Sequence, residues 1–122
     1  MPEPLQILLV DDDAQVVKFL KKALEENGYQ VTATTSGQDA LAQLRAHQPD
    51  LLILDLNMPE PDGFDLLKIE RSEFPYLRIL AISGYLKGAL LDAAKIVGAT
   101  ATLEKPVSPE KLVAKVREIL GR

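Results

Sequence analysis

The chain has no cysteine. Disulfides, thiolate nucleophiles and Cys-ligated zinc are therefore excluded. It has one histidine, His47, which argues against a multi-histidine metal site and against a Ser-His hydrolase with a histidine to spare. No basic run exists. Lys+Arg is 14 against Asp+Glu 18, for a formal charge of −4, whereas a nucleic-acid module should carry a basic stripe. No apolar stretch approaches the ~20 residues that span a bilayer. The start, Met1-Pro2-Glu3-Pro4, lacks the basic region of a signal peptide. These absences predict a cytoplasmic protein without membrane contact or a direct nucleic-acid partner.

What is present is a chain of one domain's size. Its 122 residues suffice to bury a core without staples, and a single domain over 1–122 is expected. Three short runs are apolar throughout: Ile7–Val10, Leu51–Leu54 and Ile79–Ile82. Runs of this length without alternation suit strands buried on both faces. Tyr29–Thr34 alternates with polar residues and Thr100–Leu103 is mixed, as edge strands would be.

Helical spacing fills the gaps. Val16, Val17, Leu20, Ala23 and Leu24 form one stripe, closed by Asn27-Gly28. Ala40, Leu41 and Leu44 suggest a second helix ending before Pro49. Phe64, Leu67 and Ile69 suggest a third ending near Phe74-Pro75, and Leu90, Leu91, Ala94 and Val97 a fourth closed by Gly98. The fifth opens with Ser108 as N-cap, Pro109 in the first turn and Glu110 against the dipole. Its stripe is Leu112, Val113, Val116, Ile119 and Leu120.

The pattern is β-α repeated five times, which predicts an α/β parallel sheet with helices on both faces. Order 2-1-3-4-5 keeps the three apolar strands central. It puts the ligand crevice at the carboxyl ends of strands 1 and 3.

Acids gather at that crevice. Strand 1 runs into Asp11-Asp12-Asp13 and strand 3 into Asp55. Two carboxylates ~5 Å apart at an effective dielectric of ~20 repel by roughly 3 kcal/mol. Protons or a cation must offset that, and hard carboxylate oxygens suit Mg²⁺, with Mn²⁺ as the alternative. Helix capping accounts for one acid of the three, and Asp13 is the expected cap. Strand 4 ends in Ser83-Gly84 and strand 5 in Glu104-Lys105-Pro106. Singly, these read as an ordinary turn serine and a solvated lysine. Together with the acids, a hydroxyl and an ammonium suit a phosphoryl group. His47 reads as a surface residue and Met58 as loop packing.

The segments Ile7–Asp13, Leu51–Gly63, Ile79–Gly84 and Glu104-Lys105-Pro106 together resemble a response-regulator receiver domain, a flavodoxin-like (βα)5 fold. The resemblance covers essentially the whole chain. It implies Asp55 as phosphoacceptor, Asp12 as the direct Mg²⁺ ligand, and Asp11 as its partner acting through water. The backbone carbonyl of Asn57 is the implied remaining protein ligand. Ser83 is implied to bond a phosphoryl oxygen and reorient, Lys105 to pair with the phosphoryl group, and the Lys105–Pro106 peptide to be cis. The implied donor is a histidine kinase or histidine phosphotransfer protein, and the implied readout face is the fourth helix, fifth strand and fifth helix. It also implies a downstream protein partner that the sequence does not name, a monomer or a phosphorylation-linked dimer, and no independent substrate turnover.

Two positions depart from that pattern. Thr102 stands where the family usually has an aromatic switch residue. Tyr85, two after Ser83, is expected to screen the acyl phosphate from water or to take over part of that switch. Three competing readings exist. A haloacid-dehalogenase-like phosphatase would use Asp11 and Asp13, but Gln15 stands in place of its usual Thr. A flavin mononucleotide module would need a Ser/Thr/Gly-rich loop where the acids are. An interaction scaffold would not need the full acid, serine and lysine set. The receiver accounts for the whole length, so no output domain is expected within 1–122.

Overall fold

The computed structural model describes residues 3–58, 63–84 and 87–121, without the side chains of 87–91. Five strands alternate with five helices. They are β1 (Gln6–Val10), α1 (Ala14–Glu26), β2 (Gln30–Thr34), α2 (Gly37–Ala46) and β3 (Leu51–Asp55), followed by α3 (Gly63–Glu73), β4 (Ile79–Ser83), α4 (Lys87–Val97), β5 (Ala101–Glu104) and α5 (Pro109–Leu120). All pairings are parallel, in the order β2-β1-β3-β4-β5.

The uninterrupted apolar runs divide by strand period between two cores. Leu8, Val10, Leu52, Leu54, Ile79 and Ala81 point to one face, where they join Ala40 and Leu44 of α2, Leu66 and Leu67 of α3, and Ala94 of α4. Ile7, Leu9, Leu51, Ile53, Leu80 and Ile82 point to the other, where they meet Leu20 and Leu24 of α1 and Leu112, Val113 and Val116 of α5. A sheet covered on both sides has no solvent face along its three central strands. That is why β1, β3 and β4 are apolar without alternation.

Local signals set the helix ends. The Asp13 carboxylate accepts from the Gln15 and Val16 amides and caps α1. Ser36 and Ser108 cap α2 and α5 in the same way. Gly28 and Gly98 turn the chain out of α1 and α4 with positive φ. Tertiary bonds reinforce the second of these turns. Arg71 of α3 donates to the carbonyls of Gly98, Phe74 and Pro75, tying the α3–β4 and α4–β5 turns together.

The third helix departs from the expected stripe. Ile69 is exposed, and the buried face is Gly63, Leu66, Leu67 and Glu70. A charged residue on that face masked the true period. Gly63 itself is a packing requirement. A Cβ there would lie 2.6 Å from the Asp55 carbonyl oxygen and from the Leu56 Cα. The first turn of α3 thus presses directly on the backbone that carries the end of β3.

His47 is exposed at the C-cap of α2, with Nε2 2.7 Å from Gln6 Oε1. Met58 is buried in the first core. His47 is thus at the surface and Met58 packed inside, as their sequence context suggests. Among the described residues, no helix is long and apolar enough to cross a membrane.

Candidate functional site

Each consecutive acid after β1 has its own environment. Asp11 is turned inward and buried, and its Oδ1 accepts from the Asp13 amide at 3.0 Å. Asp12 is exposed at the rim. Asp13 is the helix cap. Across the sheet, Asp55 is the last residue of β3 and only 2% exposed, and its Oδ1 accepts from the Asn57 amide at 3.0 Å. Carboxylate oxygens of Asp11, Asp12 and Asp55 all lie within 4.8 Å of one another. Strand pairing brings them together: β1 and β3 run parallel with Val10 opposite Leu54, so the residues that follow meet at one edge.

Lys105 supplies the cation. Its Nζ stands 3.2 Å from Asp11 Oδ2 and 3.3 Å from Asp55 Oδ2, bridging two acids that would otherwise repel. Burial pulls the Lys105 ammonium towards lower pKa, but Asp55 and Asp11 more than reverse this, and the net direction is up. Burial pushes the Asp11 carboxyl up, as does Asp55, against the Asp13 amide and Lys105, which favour its charge. The pair Asp11 and Asp55 is therefore held together by one half-buried lysine, with capacity for more positive charge. Three carboxylates converging on one point are a donor set for a hard divalent cation, and the fit is good: Asp12 remains exposed and has room to turn towards an ion.

Ser83 ends β4 and is fully buried. Its hydroxyl donates to Asn57 Oδ1 at 3.1 Å, and the Gly84 amide donates to the same oxygen at 3.1 Å. The Asn57 side chain was not singled out by the sequence, where only its backbone carbonyl had an assigned role. No local pattern marks it, because its partners lie 26 and 27 residues away, at the end of β4.

The crevice thus assembles Asp11, Asp12, Asp55, Asn57, Ser83 and Lys105. Thr102 is not among them. It pairs with Ala81, whereas Ser83 pairs with Glu104, so Thr102 sits two residues below the rim of the sheet. It is half-buried. Tyr85 lies outside the described residues. The Lys105–Pro106 peptide is cis. Asp13, which the phosphatase alternative would use as its acid/base, caps α1 through Oδ1.

Comparison with known proteins gives the family. Residues 7–117 match the family model described as the response regulator receiver domain. The chain belongs to that family. It is 35% identical over 119 residues to the response regulator MprA of Mycolicibacterium vanbaalenii, covering 98% of this chain and 52% of that protein. It is 33% identical over 121 residues to the transcriptional regulatory protein TrcR of Mycobacterium tuberculosis, covering 98% of this chain and 46% of that one. The chain therefore spans about half the length of the curated relatives it matches.

Solved structures give the same fold. A CheY-like receiver domain protein from Methanospirillum hungatei superposes with a TM-score of 0.91 at 28% identity, covering 98% of this chain and 95% of that one. The chemotaxis protein CheY4 of Vibrio cholerae gives 0.88 at 31% identity, covering 96% and 99%. As a receiver domain, the chain is a two-component signalling module, with the flavodoxin-like fold and strand order expected from its sequence.

Proposed function

We propose that this receiver domain is a phosphoacceptor switch that takes a phosphoryl group onto Asp55 from a phosphohistidine of a histidine kinase or histidine phosphotransfer protein. The observation that carries the proposal is Lys105 bridging Asp11 and Asp55 at the sheet edge, with Asp12 in reach of both. A fold gathers buried like charges at a cost, and a site that binds a cation and then a phosphoryl group gives that arrangement a use.

Asp11, Asp12 and Asp55, with the backbone carbonyl of Asn57, would hold Mg²⁺ (or Mn²⁺), Asp11 through water. The ion supplies charge neutralisation for the phosphoryl oxygens. The chain's own residues do the rest. An Asp55 carboxylate oxygen attacks phosphorus in line. A P–O bond forms as the P–N bond to the donor imidazole breaks, and the electron pair leaves with the imidazole nitrogen, which takes up a proton. The Asn57 amide orients the Asp55 carboxylate from the other side. Lys105 shifts its attraction from Asp55 to the incoming phosphoryl oxygens, and the Ser83 hydroxyl donates to another. The added charge then biases the domain between two states, read at the α4–β5–α5 face by a downstream protein or by a second receiver. With Thr102 small and below the rim, no aromatic side chain at that position couples this motion.

The donor is proposed to approach over α1. A groove of about 420 Å³ runs beside Lys105, lined by Val16, Phe19 and Leu20 of α1 and by Pro106 and Val107. Phe19 is 57% exposed at its lip. A helical donor domain that presents its histidine to Asp55 can seat an apolar face there.

One transfer experiment tests both parts. A donor domain carrying ³²P-phosphohistidine should label the wild-type chain and leave Asp55→Ala unlabelled. Phe19→Asp should slow labelling by roughly tenfold, which is the loss of one well-buried apolar anchor. Label persisting in Asp55→Ala would overturn the assignment of the acceptor. An unchanged rate in Phe19→Asp would overturn the docking surface.

A further inference from the structure

The mechanism above uses the main chain of Asn57 and leaves its side chain without a task. The geometry of that side chain is specific. Oδ1 accepts from the Ser83 hydroxyl and from the Gly84 amide, both at 3.1 Å. The same residue's backbone N–H holds Asp55 Oδ1 at 3.0 Å. One residue therefore ties the end of β3 to the end of β4 while it orients the acceptor carboxylate. The Gly84 amide can only donate, so the group facing it must be the carbonyl oxygen of the carboxamide. Ser83 is fully buried, where a hydroxyl gives up a partner only at a cost.

We propose that the Asn57 carboxamide is a latch on the resting state, occupying the two donors that a phosphoryl group on Asp55 would otherwise recruit. The inference rests on the phosphoacceptor reading. In the resting domain the Ser83 hydroxyl and Gly84 N–H are satisfied by Asn57. When a phosphoryl group arrives, its oxygens compete for the same donors, and the β4 end is released from β3 as they change partner. The latch lowers the population of the activated arrangement in the absence of phosphate, since any ligand must bind against the bonds it breaks. The choice of residue fits the task. An aspartate would accept the same two bonds, but it would add a fourth negative charge beside Asp11, Asp12 and Asp55. The amide supplies the acceptor without the charge. Asn57 is a positioning residue, acting through Ser83 and Gly84.

The test compares wild type, Asn57→Ala and Asn57→Asp as full chains. Without ligand, the Gly84 amide should exchange with solvent at least about tenfold faster in Asn57→Ala, with protection restored in Asn57→Asp. With Mg²⁺ and beryllofluoride as phosphoryl mimic, Asn57→Ala should bind roughly five- to thirtyfold more tightly than wild type, the worth of one to two net hydrogen bonds no longer broken. Unchanged Gly84 exchange together with equal or weaker beryllofluoride affinity in Asn57→Ala would overturn the latch. A wild-type chain that binds no beryllofluoride at all would overturn the phosphoacceptor reading, and the role of the latch with it. The ligand-free exchange measurement reports separately whether the hydrogen bond exists.

Discussion

Replacing Glu70 by leucine is expected to stabilise the domain by roughly 3 kcal/mol at pH 7. Glu70 is fully buried on the inner face of α3, and neither carboxylate oxygen has a hydrogen-bond partner among the described residues. Its neighbour Arg71 does not pair with it. The guanidinium is spent on the carbonyls of Gly98, Phe74 and Pro75. Burial pushes the Glu70 carboxyl from 4.5 to about 8, and Arg71 only partly opposes this. The folded domain therefore keeps the Glu70 proton up to about pH 8, whereas the unfolded chain loses it near 4.5. Between those values the folded state binds more protons, so stability falls as pH rises, by about 1.4 kcal/mol per unit from this group, and levels off above pH 8. Leucine fills similar space on a face already formed by Leu66 and Leu67 and has no proton to lose. Urea unfolding at pH 5, 7 and 8.5 checks this. The stability gain in Glu70→Leu should grow from pH 5 to pH 8 and then hold constant. A gain independent of pH, or a loss, would contradict the burial of an uncompensated acid.

Lys105→Met is expected to slow phosphoryl uptake from a small acyl phosphate by roughly 10²- to 10³-fold, the usual cost of losing one preorganised donor to a phosphoryl group. Methionine keeps the length of the stem and removes the ammonium, with its charge and its donors. Lys105 is the cation within 3.3 Å of both Asp11 and Asp55, so the variant also leaves two buried acids facing one another. Saturating Mg²⁺ should recover part of the thermal stability lost in the variant but not the rate, because an ion can offset the acids while the lysine's place at the phosphoryl oxygens stays empty. Initial rates and melting temperatures with and without Mg²⁺ separate the two effects. A rate within twofold of wild type would remove Lys105 from the chemistry.

Much of this was legible in the residues. The three apolar runs marked the central strands because a sheet covered on both faces writes its burial into every position. The acids at the ends of β1 and β3 were visible because strand ends in such a fold converge on one edge. Asp13 could be separated from its neighbours by capping chemistry alone. What stayed hidden depended on tertiary context. Glu70 lies three and four residues from Leu67 and Leu66, on the buried stripe, but its charge disguised it and lent weight to Ile69 instead. The Asn57 side chain gains its meaning only when β3 and β4 pair. The groove at Phe19 needs the chain after β5 to fold against α1. Thr102 is unusual against the family pattern, and the register explains why it lies apart from the acids: it sits opposite Ala81, two positions short of the sheet edge.

On the proposed function, Asp55 accepts a phosphoryl group in a site completed by a divalent cation. Intact mass after incubation with Mg²⁺ and a small acyl phosphate tests it most directly, with Asp55→Ala and a metal-chelated sample alongside. An adduct of one phosphoryl group is expected on the wild-type chain, absent from Asp55→Ala and absent once the metal is chelated. A wild-type chain that stays unmodified, or an adduct that survives in Asp55→Ala, would contradict it.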